Sequence, residues 1–499
     1  MSWNLSENLK RIANGFPDRI VYQFMDQSTT YAELDFLVDR FAAALAKEGI
    51  GKGDAVALLL GNTPHFVIAY YGILRSGAAA VPINPIFSPR EIEYILVNSE
   101  AKAVISIPQL QLVLSALKQK LNHLGLVVYT DQLDSEWNFD QFVRIANLNF
   151  ISPVIEKDDL AVILYTSGTT GDPKGAMLTH LNMGSNAQAC TKLFELTHED
   201  RIITVLPIFH VFCMTVCMNA TITCSATMVL MPKFSPTEVV KTIKEQQATI
   251  FVGVPTMYNF LLQVPNATLE DFQSIRSCVS GGAPLPVALL HKFEQKYQVK
   301  IMEGYGLSEA SPVTAFNPIH GVRKPGSIGI DIPYVTNKVV DPYGQEVPRG
   351  EIGELIVQGP NVMKGYLGMP EATEIALRDG WLYTGDMARM DEDGYLYIVD
   401  RKKDMILVGG YNVYPREVEE VLYEHPAIVE TAVIGVPDPE YGEAVKAFVV
   451  CEGVSLTEAD LIDYCSGKIA KYKIPKSIVF VDELPKNTTG KILRRMLQS

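Results

Sequence analysis

Residues 160–175 read LAVILYTSGTTGDPKG. Leu160 to Tyr165 form an apolar run with the length and β-branched content of a buried strand. After Tyr165 the texture changes. Thr166, Ser167, Gly168, Thr169, Thr170 and Gly171 bring no apolar side chain, and Pro173, Lys174 and Gly175 close the segment. Glycines let backbone N–H groups converge on an oxyanion, and Lys174 adds a mobile positive charge. The natural guest is a polyphosphate. The Walker pattern does not fit, because Gly175 stands where it requires Ser or Thr. A mobile surface loop has a similar composition; the position directly after a buried strand favours the anion reading.

Outward from this strand the chain alternates. A helix is expected over 28–49, with a Thr30/Glu33 capping box, Leu34, Leu37, Val38, Phe41 and Leu45 on one face, and Gly49 as its stop. Strands follow at 56–60, 80–83 and 103–105, with helices at 64–75 and 89–98 between them. Beyond the central segment, strands fall near 201–205, 227–231, 249–252, 277–280 and 300–302. Such alternation implies parallel sheets covered by helices. The stretch 211–230 reads as a buried helix–turn–strand. From 326 to 399 short strands separated by DPYG, PRGEIG, GPN and DEDG predict a β-rich subdomain. The charged segment DRKKD at 400–404 marks a boundary, followed by a compact α+β module: strand 405–408, helix 415–424, strands 430–436 and 445–451, a helix opened by the Thr457/Asp460 capping box, and strand 477–481. The expected fold class is α/β, with a large N-terminal domain of parallel helix-covered sheets plus a β-rich subdomain and a small α+β C-terminal domain.

At 499 residues the chain exceeds one ordinary core. A net charge of −14 argues against a nucleic-acid partner, so a nucleotide would need a local basic pocket. The seven cysteines form no CxxC pair, which reads as reduced thiols in a cytoplasmic enzyme. The cluster from Cys213 to Cys224 lacks metal-ligand spacing. The N-terminus has no basic-then-apolar signal pattern, and no stretch of about 18 apolar residues predicts a membrane span.

Further motifs carry chemistry. Gly304-Tyr305-Gly306-Leu307-Ser308-Glu309 follows a predicted strand. Its glycines allow a tight turn that lays Tyr305 against a ligand, Ser308 offers a hydroxyl, and Glu309 is a hard carboxylate suited to Mg²⁺ near phosphates; an ordinary strand-end turn with a core tyrosine reads the same way. Ser280-Gly281-Gly282-Ala283-Pro284 leaves room for a flat ring. Asp386 ends WLYTGD before a turn, where aspartate is common. Lys491, in PKNTTGK, sits on a glycine-containing loop able to reach a neighbouring cleft. His210 lies in PIFHVF, and Gly409 and Gly410 in LVGGYNVYP.

Thr166–Gly175 resembles the phosphate-binding signature of the adenylate-forming superfamily (acyl-CoA synthetases, luciferases, peptide-synthetase adenylation domains). The other motifs occur in the superfamily's order along nearly the whole chain. HVFCMTVCMNA, VGVPTMYNFLL, EGYGLSEASPV and DRKKDMILVGGYNVYPREVEEVLY look most like bacillar long-chain fatty-acid–CoA ligases. The resemblance implies ATP, Mg²⁺ and CoA as co-substrates and cofactor, and a fatty acid as the acid. It implies that Thr166–Gly171 and Lys174 hold phosphates, with Ser308 at the α-phosphate in place of the family's threonine. Tyr305, Gly306, Gly282, Ala283 and Pro284 would take the adenine, Asp386 and Arg401 the ribose, and Glu309 the metal. Lys491 would bridge the attacking carboxylate and the α-phosphate, and His210 would guard the carboxylate end of the acyl pocket. It implies domains at 1–400 and 405–499 joined by a hinge at 401–404, with rotation about Lys403 bringing Gly409 and Gly410 to the thiol path.

The implied acyl pocket is lined by His210, Val211, Cys213, Met214, Val252, Gly253, Tyr258, Gly282 and Gly306. It carries no arginine, which favours an apolar chain of medium or long length over a dicarboxylate. Cys213 stands where many relatives have glycine. A ligase passing its adenylate to a carrier protein, an amine or oxygen shares the first half-reaction. Peripheral membrane contact and a homodimer are left open by the sequence.

Overall fold

The computed structural model describes residues 3–131, 137–144, 150–166, 173–452, 456–488 and 490–497. Ser167, Gly168, Thr169, Thr170 and Gly171 lie outside the described residues. Among those described, four sheets form, and two are mainly parallel. One has nine strands, with Ile301–Gly306, Ser277–Ser280, Ile250–Gly253, Arg201–Thr204, Thr227–Leu230 and Ile20–Phe24 in parallel order. The other has eight, with Leu160–Thr166, Ala79–Pro82, Ala55–Leu59, Ala103–Ser106, Leu126–Tyr129 and Trp137–Asn138 running parallel.

The central apolar run is the strand Leu160–Thr166, paired on its other edge antiparallel with Lys174–Thr179, so that Thr166 stands opposite Lys174. Leu160–Thr166 and Lys174–Thr179 are thus consecutive antiparallel neighbours in the sheet. Pro64–Ser76 and Tyr31–Lys47 pack together over the sheets. Arg75 is buried between them, its guanidinium 2.6 Å from Asp35 and 2.7 Å from Asp39. Thr30 caps Tyr31–Lys47 through the expected box, Glu33 N donating to its Oγ1 at 3.2 Å and Glu33 accepting from Thr30 N at 2.8 Å. The helix starts later than 28, because Gln27–Thr30 pairs as a strand with Ile20–Phe24.

The β-rich subdomain forms as an antiparallel sheet of Thr336–Val340, Ile352–Gln358, Trp381–Met390, Leu377–Arg378 and Leu396–Arg401. The C-terminal module packs Pro415–Tyr423 and Glu458–Cys465 on a sheet of Tyr411–Val413, Ile406–Val408, Gly442–Cys451, Ile428–Asp438 and Ser477–Phe480. In the stretch 211–230, Cys213–Asn219 is a π-helix, with Ala220 N donating to Thr215 O, before Ala220–Thr223 and the strand Thr227–Leu230. The wider i→i+5 turn changes which side chains face inward, and a 3.6-residue period does not anticipate it.

Candidate active site

Two corrections concern where the motifs sit. Gly304–Gly306 is not a turn after a strand but its continuation. The strand Ile301–Gly306 pairs with Ser280 at Glu303, then with Phe316 and Ala315 at Gly304 and Tyr305. Its glycines serve close approach: a Cβ at Gly304 would lie 2.5 Å from the Phe316 ring, and one at Gly306 2.4 Å from Pro312 O. Likewise Trp381-Leu382-Tyr383-Thr384-Gly385-Asp386 lies inside the strand Trp381–Met390 rather than before a turn.

These strand ends border a cleft of about 1170 Å³ between the large domain and the C-terminal module. Thr166, Lys174, His210, Val211, Gly282, Ala283, Pro284, Tyr305, Gly306, Ser308, Glu309, Asp386, Arg401, Lys403 and Lys491 all line it. Cys213, Met214, Val252, Gly253 and Tyr258 do not. They are buried in the core beneath, where the Tyr258 hydroxyl donates to Val279 O at 2.7 Å and Gly253 is crowded by the Phe251 ring. The apolar part of the cleft wall is instead supplied by Leu206, Phe212, Val216, Val254 and Val313. Gly409 and Gly410 are exposed and border none of the cleft.

At one end of the cleft the Tyr305 hydroxyl donates to Asp386 Oδ2. Arg401 pairs with Asp386 across the strands and places Nε 3.7 Å from Oδ1. Burial pushes the Asp386 carboxyl up, and the Tyr305 hydrogen bond with the charges of Arg401 and Lys491 oppose that shift. Near Lys174 the Tyr366 hydroxyl donates to Glu309 Oε1 at 2.9 Å, and Lys174 Nζ lies 5.2 Å from the Tyr366 ring centroid. Met363 N donates to Glu309 O at 2.8 Å, fixing the turn Ser308–Ala310. Tyr366 was missed by sequence reading; nothing in GYLG distinguishes it from a core residue.

Lys491 enters from the C-terminal tail. That tail is tied across the cleft by Thr488 Oγ1, which accepts from Asn84 Nδ2 at 3.1 Å, and Lys491 N donates to Asn487 Oδ1 at 2.9 Å. Protein atoms crowd the ammonium although part of its surface meets the cleft. Burial pushes it down to about 8, with the Arg401 charge acting in the same direction and Asp386 opposing. His210 is pushed down to about 4, first by burial and then by the charge of Lys491. The imidazole is therefore neutral at pH 7. Its Nδ1 accepts from Phe212 N at 3.3 Å, which leaves the proton on Nε2.

One cleft thus gathers a cationic tail, a half-buried carboxylate–tyrosine–arginine cluster and a neutral histidine. Residues 9–367 match the family described as AMP-binding enzyme, and 417–491 match the AMP-binding enzyme C-terminal domain. The chain belongs to the AMP-binding enzyme family. It is 42% identical over 515 residues to the long-chain-fatty-acid–CoA ligase of Bacillus subtilis (strain 168), covering 97% of this chain and 92% of that protein. It is 38% identical over 467 residues to feruloyl-CoA synthase of an Amycolatopsis species, covering 93% and 92%. Among solved structures, ATP-bound MatB from Rhodopseudomonas palustris superposes with a TM-score of 0.94 at 36% identity over 100% of this chain and 98% of that one. Apo MatB superposes with 0.85 at the same identity and coverage. This member of the family is an AMP-forming acid–thiol ligase. No helix among the described residues is long and apolar enough to cross a membrane.

Proposed function

We propose that this ligase activates a fatty acid of medium to long chain: carboxylate and MgATP give acyl-AMP and pyrophosphate, and the CoA thiol then gives acyl-CoA and AMP. The observation that carries the reading is that Lys491 lines the same cleft as His210 and Asp386. A carboxylate approaching a triphosphate brings two anions together, and negative charge grows on the α-phosphoryl oxygens. An ammonium fixed beside the reacting atoms offsets that repulsion more strongly than a freely solvated one.

In this reading Asp386 and Arg401 hold the ribose, Tyr305 flanks the adenine, and Thr166, Lys174 and Ser308 meet phosphate oxygens. The neutral His210 ring closes the carboxylate end of the acyl site without adding charge. The apolar wall of Leu206, Phe212, Val216, Val254 and Val313 supports an alkyl chain. Mg²⁺ is held by one or two carboxylates with substrate phosphates and water. Glu309, with one oxygen already oriented by Tyr366, fits that donor set. No group of three or more His, Cys, Asp or Glu gathers among the described residues, as suits a metal held mainly by substrate. Bound there, Mg²⁺ would neutralise phosphate charge.

The C-terminal module at 405–499 then turns about 401–404, withdrawing Lys491 and presenting Gly409 and Gly410 to the thiol. The closer superposition on ATP-bound than on apo MatB supports assigning the present arrangement to the adenylate-forming half. AMP release from MgATP, with and without CoA, across fatty acids of increasing length tests the whole reading. CoA-dependent release with an optimum at medium or long chains is expected. Pyrophosphate release indifferent to CoA would move the acceptor elsewhere.

A further inference from the structure

The helix Val287–Tyr297 opens after Pro286, whose side chain has no oxygen to accept from the first turn. The acceptor comes from the C-terminal module. Glu420, on the helix Pro415–Tyr423, takes the Val287 N–H on Oε2 at 3.4 Å. A carboxylate at a helix N-terminus satisfies one orphan donor and meets the positive end of the helix dipole. One turn earlier on the module helix, Arg416 places Nε 3.7 Å from the other oxygen of Glu420.

Arg416 itself is buried. Its Nη1 donates to Ile398 O at 2.8 Å and its Nη2 to Gly326 O at 3.4 Å. Gly326 lies against Val287, since a Cβ on it would be 3.4 Å from Val287 Cγ2. The acid and the base of one i,i+4 pair therefore grip a single patch of the large domain, the acid through a helix N–H and the base through two carbonyls. Gly326, Val287 and Ile398 lie before the segment 401–404, and Arg416 and Glu420 lie after it. A buried guanidinium is well held only while its acceptors stay in place. A turn about 401–404 withdraws all of these partners together.

We propose that Arg416 and Glu420 are positioning residues for adenylate formation: the pair latches the module onto the large domain and so keeps Lys491 in the cleft. The proposal rests on the reading in which the module turns between the half-reactions. Asn84 and Thr256 tie down only the tail around Lys491. The latch instead holds the helix whose Val418 and Leu422 belong to the module's own core, so the whole module is held with it.

The test measures the two half-reactions separately in the full chain: pyrophosphate release without CoA, and acyl-CoA formation from supplied acyl-AMP and CoA. Arg416→Ala is expected to slow pyrophosphate release about tenfold, the loss of roughly one charged hydrogen bond from the seated arrangement. Acyl-CoA formation from acyl-AMP should be equal to wild type or faster, because that step needs the latch open. Arg416→Lys, able to reach one carbonyl, should recover part of the loss. Glu420→Ala should show the same split at several-fold, and carries the comparison should Arg416→Ala fail to fold. Lys468→Ala, which breaks an exposed pair with Glu424 inside the module, is the control and should leave both rates unchanged. An equal fall in both half-reactions, or undiminished pyrophosphate release in the Arg416 and Glu420 variants, overturns the latch. Wild-type protein that forms no acyl-CoA from acyl-AMP would instead overturn the ligase reading, and the latch with it.

Discussion

Arg401 stands directly across a strand pair from Asp386, with Nε 3.7 Å from Oδ1, while Tyr305 holds the other carboxylate oxygen. Burial pushes this carboxyl up, so its ionised form depends on those partners. Removing the Arg401 cation raises it further. Arg401→Ala should therefore move the acid limb of ATP binding to higher pH, read as KM for ATP against pH. Asp386→Asn, which can still bond Tyr305, should raise KM for ATP by about tenfold or more with little change in melting temperature, because a buried ionised carboxylate is no asset to the fold. An unchanged KM for ATP would remove Asp386 from the nucleotide site.

Lys491 makes activity and stability diverge with pH. Its folded value is near 8 and its unfolded value near 10.5, so the fold favours the neutral amine. Between those values the unfolded chain binds the extra proton, and stability rises with pH over that window. Adenylate formation needs the ammonium and should fall as pH climbs through about 8. Lys491→Ala should cost the first half-reaction on the order of 100- to 1,000-fold and largely spare thioester formation from supplied acyl-AMP. Equal loss of both would sink the assignment.

The sequence made the chemistry-bearing ends of strands legible, because hydroxyls, glycines and isolated charges stand out against apolar runs. Asp386, Arg401, Tyr305, Lys174 and Lys491 all border one cleft. It was silent on what those motifs lean against. Tyr366 on Glu309 and Glu354, whose Oε1 accepts from Gly385 N at 3.1 Å, are long-range contacts with no local signature. The pocket wall was misjudged for a related reason. Cys213 and Met214 begin a π-helix, and apolar patterning alone does not say which of several buried side chains faces an opening. The GYG segment read as a turn because glycine's conformational freedom is the usual inference, whereas Phe316 and Pro312 demand its small size instead.

Gly490 is required by both conformation and space. Its φ is +81°, and a Cβ there would lie 2.6 Å from Thr256 Oγ1. Gly490→Ala should strain the tail by about 1 kcal/mol or more and displace Lys491 from the cleft. Adenylate formation should fall while thioester formation from acyl-AMP persists. Adding Thr256→Gly removes the clash but not the backbone strain, so it should restore part of the lost rate. Full activity in Gly490→Ala would mean that the tail docks some other way during catalysis.

Glu303 lies at the floor of the cleft, buried, with Oε1 accepting from Leu285 N at 3.0 Å and Oε2 without a partner among the described residues. Burial pushes its carboxyl up to about 7. Arg416 from the C-terminal module opposes that shift, and Glu420, whose Oε2 accepts from Val287 N at 3.4 Å, adds to it. The unfolded carboxyl ionises near 4.5. Between 4.5 and 7 the folded protein keeps a proton that the unfolded chain releases, so this group's contribution falls as pH rises through that window and is flat above it. Glu303→Gln, which can still accept from Leu285 N, should be more stable than wild type above pH 7 by at most about 3 kcal/mol and equal to it near pH 4. Denaturant unfolding at the two pH values measures this directly; a variant less stable at pH 8 would mean that Arg416 holds Glu303 ionised and that the pair helps to seat the C-terminal module.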